Sequence, residues 1–154
     1  MNPKHARFVA DLERVGITCE IKVLDTGTHT AAAAAEHLGC DVAAIANSLI
    51  FDWGGEPLLI MSSGAGKVDT KLVAQSLGGT SLKRASPEFV KQASGQVIGG
   101  VAPAGHPQRI KTLVDISLRD YDPLWVAAGT ADSLVALSYD ELVELTEGTE
   151  LAVR

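Results

Sequence analysis

Only two cysteines, Cys19 and Cys40, occur in the 154-residue chain. That excludes a disulfide scaffold and leaves both thiols expected as small, reduced, buried hydrophobes. Long apolar runs are missing too. Stretches such as residues 31–35 and 58–61 fall far short of the roughly 20 residues that a bilayer-crossing helix needs, and Met1-Asn2-Pro3-Lys4-His5 lacks the apolar core of a signal peptide. A cytoplasmic protein without membrane contact is the expectation. Positive charge is also scarce: a formal net charge of −6 argues against a protein that coats nucleic acid, because such binding rests on neutralising many phosphates.

The familiar catalytic signatures are absent as well. Ser63-Gly64-Ala65-Gly66-Lys67-Val68 follows an apolar run like a phosphate loop. A Walker loop, however, needs glycine where Met61 stands and Ser or Thr where Val68 stands. The dinucleotide fingerprint fails because Asp69 occupies the place of its third glycine. The segment reads as a plain strand-to-helix turn. His37 and Cys40 lie three apart, with His29 and His106 elsewhere, but paired ligand spacings of a zinc site are lacking. No G-x-S-x-G elbow occurs, and neither cysteine has cationic neighbours that would lower its pKa. His29 reads equally as a capping, loop or site histidine. An enzyme without nucleophile, metal or cofactor is limited to already activated bonds, such as aminoacyl esters, hydrolysed by placing water and stabilising an oxyanion with backbone amides.

What is present is a globular composition: 46% hydrophobic residues and a mean hydropathy of +0.16 suit one domain over residues 1–154 with a real core. Charge is polarised along the chain. Residues 61–111 hold Lys67, Lys71, Lys83, Arg84, Lys91, Arg109 and Lys111 against Asp69 and Glu88, whereas residues 112–154 hold two basic residues against nine acids. One modest basic face suits contact with a small piece of nucleic acid; chance clustering on a solvated surface is the alternative.

Periodicity and punctuation predict a helix through Phe8, Val9, Leu12 and Val15 that stops at Gly16. A strand over 18–24 follows, then a helix over 31–38 capped by Thr30 and stopped by Gly39. Two apolar runs, 45–53 and 57–62, joined by Gly54-Gly55-Glu56, read as a hairpin that places Asn47 and Ser48 on a central strand. Asp69 caps a helix to Leu77, residues 81–84 form a short strand, and Ser86-Pro87 opens a helix to Ala93. Strands are expected at 96–101, 111–114, 124–128 and 134–137. Ser138 and Glu141 form a capping box for a helix to Thr146. Strands and helices alternate without a strict βαβ rhythm, so the class is α+β with a mixed sheet.

The most informative stretch is Gly99-Gly100-Val101-Ala102-Pro103-Ala104-Gly105-His106-Pro107. Glycines let backbone groups approach a ligand, while prolines fix φ and hold the shape.

Three stretches taken in order carry a likeness: residues 30–39 leading into Ile45-Ala46-Asn47-Ser48-Leu49-Ile50-Phe51; Val68-Asp69-Thr70-Lys71-Leu72; and residues 99–106, which contain G-x-x-x-P as Gly99 to Pro103. In these the chain resembles the YbaK/EbsC family of free-standing aminoacyl-tRNA deacylases, which is similar to the editing domain of bacterial prolyl-tRNA synthetase. The resemblance implies a mixed, partly barrel-like β-sheet flanked by helices. It implies hydrolysis of an amino acid wrongly attached to tRNA, with tRNA for proline a frequent carrier, without metal or cofactor. The partners would be the tRNA acceptor end carrying the mischarged amino acid and an aminoacyl-tRNA synthetase. Carried over, Gly99, Gly100 and Pro103 are catalytic-loop residues. Thr30, Asn47, Ser48, Val101, Ala102, Ala104, Gly105, His106 and Gly129 are substrate-binding. Two departures stand out. Asn47 occupies the place of a lysine that anchors the tRNA 3′ end in many members, and Gly129-Thr130-Ala131-Asp132 lacks the basic residues often found after that glycine. A non-catalytic binding module of the same fold, recognising an aminoacyl-tRNA end, a nucleotide or a partner protein, is the alternative.

Overall fold

The computed structural model describes residues 3–18, 20–24, 30–130 and 132–154. Helix α1 (Pro3–Arg14) buries Phe8 and Leu12. It ends where Gly16 takes a φ of 77°. The Ile17 N–H donates to the Leu12 carbonyl at 2.9 Å and the Gly16 N–H to that of Glu13 at 3.0 Å, the paired bonds that satisfy a helix's last carbonyls. The remaining helices are α2 (Ala31–Leu38), α3 (Thr70–Ser76), α4 (Pro87–Ser94) and α5 (Tyr139–Thr146). Each starts at a side-chain cap foreseen in the sequence: Thr30, Asp69, Ser86 and Ser138 all accept backbone N–H bonds, and Ser138 and Glu141 complete a capping box. A cap of this kind is worth about 1 kcal/mol.

Among the described residues, eight strands form two sheets. The larger contains β2 (Ala46–Trp53), β3 (Glu56–Ser63), β4 (Leu82–Arg84), β5 (Lys111–Asp115) and β8 (Thr149–Leu151) in the order β4-β2-β3-β5-β8. The smaller contains β1 (Lys22–Val23), β6 (Leu124–Ala127) and β7 (Ser133–Leu137) in the order β1-β7-β6. The β3–β5 and β5–β8 pairs are parallel and the others antiparallel, so the fold is α+β with a mixed sheet. Among the described residues, one isolated bridge, Ile45 to Trp125, joins the two sheets.

The unbroken apolar run of β3 has its reason in two-sided burial. Leu59 and Met61 enter the main core with Phe8, Leu12, Val126 and Leu142, while Leu58 and Ile60 pack on the opposite face with Val73 of α3 and Leu113. A third cluster lies under α2, where Ala34 and Ala35 meet Ile45 and Leu134. Cys40 packs half-buried against it, and burial pushes its thiol pKa up. Cys19 and His29 lie outside the described residues.

Two expectations are corrected. The strand over 18–24 contracts to Lys22–Val23, paired with Leu134 and Ser133, while Ile17 and Leu24 on either side turn into the core. Residues 96–101 form no strand. Gly95 leaves α4 at a φ of 74°, the Gly100 N–H donates to the Val97 carbonyl at 2.9 Å, and Gly99 sits at a φ of 88°. This tight turn leaves Val97 42% and Ile98 59% exposed, so the apolar run is not paired in a sheet. Finally, β8 and the 3-10 turns Val42–Ala44 and Ile116–Asp120 were not foreseen.

The loop of residues 63–68 is a strand-to-helix turn, as expected. A Cβ on Gly64 would lie 2.7 Å from the Val42 carbonyl oxygen, and one on Gly66 would lie 2.7 Å from the Arg154 Nε. Arg154 reaches past Gly66 to donate to the buried Asp115 carboxylate at 2.9 Å, which also accepts from the Ser63 and Ser117 N–H groups. These glycines make room for the protein's own chain.

Candidate functional site

The β2 strand is interior in the sheet order, yet its outer edge is paired only at its ends. Phe51, Asp52 and Trp53 face β4, and Ile45 meets Trp125. Between them, residues 47–50 have no outer strand partner among the described residues. The hairpin phase decides which peptide groups this frees. Gly54 and Gly55 both have positive φ, 60° and 95°, and close a two-residue turn after Trp53↔Glu56. In such a hairpin the closing pair is hydrogen-bonded and the pattern alternates from there. The Gly64 N–H to Ile45 carbonyl bond of 2.8 Å fits the same phase. Ser48 and Ile50 therefore direct their N–H and C=O groups away from β3, toward the open edge.

That edge is one wall of a cavity of about 330 Å³. The N-terminus of α2 (Thr30, Ala31, Ala34) forms a second wall. Arg84 and Ala85 with Val90 form a third, Ile98, Gly99 and Val101 a fourth, and Ala127 and Leu134 close it. The lining is mostly apolar with few polar groups, the composition expected of a ligand site. Asn47 is half-buried, and its amide makes no hydrogen bond with the described residues. The Ser48 hydroxyl donates to the Met61 sulfur at 3.3 Å. Thr30 spends its hydroxyl oxygen on the Ala33 N–H at 3.1 Å, and the positive end of α2 opens on the cavity beside it.

The glycine loop is divided. Gly99 and Val101 line this cavity, whereas Pro103, Ala104, Gly105 and His106 line a separate polar one of about 210 Å³ with Asp11, Arg14 and Arg109. Gly100 and Ala102 are buried between them, and Gly129 is buried beyond β6; none of the three lines either cavity. A Cβ on Gly99 would meet nothing within 4 Å, so its positive φ, not packing, calls for glycine there. Gly105 is the opposite case. Its Cβ would lie 2.7 Å from the Phe8 backbone nitrogen, which makes it the crossing point of the loop and α1.

Side chains hold the loop's shape. The Ala102 N–H donates to the Gln96 Oε1 at 2.8 Å, and the His106 Nε2–H donates to the Ala102 carbonyl at 2.8 Å. The Gly105 N–H donates to the Asp11 carboxylate at 2.7 Å. The two peptides on either side of the Ala102 Cα are thus both held by side chains. Burial lowers the His106 pKa, with the Ala102 bond and the Asp11 charge opposing the shift; the ring is a neutral strut. Gln96 and Asp11 escape a sequence reading because their loop partners lie six and 94 residues away. Arg84 escapes it as one cation among seven in its segment. His37 and Cys40 gain no ligand partners: among the described residues no three His, Cys, Asp or Glu side chains gather as a metal-binding group.

A mixed α+β frame thus holds a mostly apolar cavity walled by the open β2 edge, small side chains and part of a braced glycine loop. Residues 25–145 match the aminoacyl-tRNA editing domain, and the chain belongs to that family. It is 31% identical over 128 residues to the protein YwhH of Bacillus subtilis (strain 168), whose function is uncharacterised; the match spans 82% of this chain and 81% of that one. Among solved structures it is similar to a protein assigned provisionally as a trans-editing enzyme for prolyl tRNA synthetase, at a TM-score of 0.91 and 32% identity, covering 100% of this chain and 98% of that one. The hypothetical protein APE2540 is also similar, at a TM-score of 0.87 and 25% identity, covering 96% and 98%.

Proposed function

We propose that the protein is a trans-editing hydrolase that deacylates mischarged aminoacyl-tRNA, with tRNA for proline as the carrier. The observation that carries this reading is the cavity where Gly99 and Val101 face the unpaired edge of β2 at Ser48 and Ile50. An aminoacyl ester is already activated, so what the reaction requires of the protein is position and charge stabilisation. Gly99 lets the ester carbonyl approach the loop backbone, and the free N–H groups of the β2 edge supply donors. Gly100 and Pro103 shape the turn, and the bonds of Ala102 to Gln96 and His106 keep its peptides preset. The terminal ribose hydroxyl of the substrate helps place the attacking water, and no metal takes part. The family membership and the likeness to a protein linked with prolyl tRNA synthetase support the substrate class.

The test is deacylation of a panel of mischarged tRNAs by the purified chain. Turnover of at least one above buffer is expected, and none with any of them would overturn the reading. A non-catalytic module that binds the same end is the second reading, favoured by an uncharged Asn47 on the cavity wall. Asn47→Lys separates the two: an enzyme retains or gains deacylation, whereas a binding module stays inactive.

A further inference from the structure

Arg84 differs from its basic neighbours in what faces it. Across the β2–β4 pair Lys83 stands opposite the carboxylate of Asp52, whereas Arg84 stands opposite Phe51. Arg14, Arg109 and Arg154 are engaged by Asp11, Glu147 and Asp115. No acidic side chain lies within 4 Å of the Arg84 guanidinium among the described residues. Arg84 is also the one charged residue among the described residues lining the large cavity, which the N-terminus of α2 lines as well. Around it the wall is apolar or neutral, and the chain as a whole carries −6. A polyanion is repelled by most of this surface and attracted at that point.

The geometry points to Arg84 as the anchor for the phosphodiester that precedes the terminal nucleoside of the tRNA, fixing the 3′ ester beside Gly99 and the open edge of β2. This rests on reading the cavity as an aminoacyl-tRNA site. A guanidinium suits the task because its planar fork meets two phosphate oxygens at once and cannot lose its charge. Phe51 and Ala85 flank it with apolar surface, where a charge-assisted bond is screened less than in open water. Arg84 is therefore a positioning residue: it acts on affinity and placement, away from the bond that breaks.

The experiment uses the full chain and a labelled acceptor-stem RNA whose 3′ end carries an amino acid in a non-hydrolysable amide link, with binding read by fluorescence anisotropy across a salt series. Arg84→Gln is expected to weaken binding about tenfold and to reduce the slope of log K against log salt by about 0.7, one single-strand phosphate contact. Arg84→Lys keeps the slope and loses part of the affinity. An aminoacyl-adenosine analogue without the phosphate binds wild type and Arg84→Gln equally. Because Arg84 is exposed, Arg84→Gln keeps the wild-type thermal midpoint. RNA binding indifferent to Arg84, or an equal loss for RNA and analogue, overturns the assignment. Arginine-dependent binding without ester hydrolysis by the wild type removes the proposed function and leaves the anchor standing. Hydrolysis with unchanged RNA binding by Arg84→Gln does the reverse.

Discussion

Two glycine-rich loops in this chain look alike in sequence and do opposite things. In the loop of residues 63–68, Gly64 and Gly66 are small because the Val42 carbonyl and the Arg154 side chain occupy the space a Cβ would take. In the loop of residues 99–107, Gly99 has open space where its Cβ would be, and the residue lines the large cavity. Glycine content alone does not mark a ligand site. What sets Gly99 apart is that it combines an open Cβ position with a place on the cavity wall, whereas the cap and turn glycines Gly39 and Gly78 have the same open space and line no part of that cavity.

The comparison has an internal exception, and breaking it has the largest expected effect. Gly105 belongs to the second loop but behaves like the first, at a φ of 81° with the α1 backbone against it. Gly105→Ala should lose about 3 kcal/mol through overpacking and backbone strain, a fall in Tm of about 10 °C, read by thermal unfolding. Gly64→Ala should lose about 2 kcal/mol to the same kind of clash, with the specific activity of the folded fraction intact. Gly99→Ala should cost only about 1 kcal/mol, from its φ of 88°, yet reduce kcat/KM by more than tenfold. Gly100 lies outside the left-handed region, and Gly100→Ala should lower turnover far more than thermal stability. If stability and turnover fall in proportion at Gly99 and Gly100, the contrast between the loops disappears.

The smallest effect concerns the strut. His106 has its folded pKa held below the ordinary 6.5 by burial. Below that value the unfolded chain takes up a proton that the folded chain resists, so stability is full above about pH 6.5 and falls as the pH drops. The slope is at most about 1.4 kcal/mol per pH unit for one proton. Urea midpoints at several pH values should show this decline in the wild type and a flatter one in His106→Gln. Parallel curves would mean that the histidine contributes nothing to it.

Much of the frame was legible because its signals are local. Thr30, Asp69, Ser86 and Ser138 cap helices within three residues of themselves, and Gly54-Gly55 turns a hairpin whose strands touch it. The segment 96–101 misled because Val97 and Ile98 are as apolar as strand residues; nothing local shows that no partner strand lies within reach. The parallel pairing of β3 with β5, and of β5 with Thr149–Leu151, joins distant segments and leaves no short-range mark. The site was legible in part for the same reason. Asn47, Ser48, Thr30, Gly99 and Val101 line one cavity. Gly105 and His106 look identical in kind, yet face away from it because α1 folds back onto them.

The turn at Gly54-Gly55 has a reach beyond closing the hairpin. It starts six residues, roughly 20 Å of strand, from Ser48, yet it sets which peptides of β2 present themselves to the cavity. Slipping the hairpin by one residue would hand the wall from Ser48 and Ile50 to Asn47 and Leu49, and would swap the faces of every side chain between them. The hydrogen-bonding grammar of the pocket is written at the far end of the strand, in a turn that lines no part of the cavity.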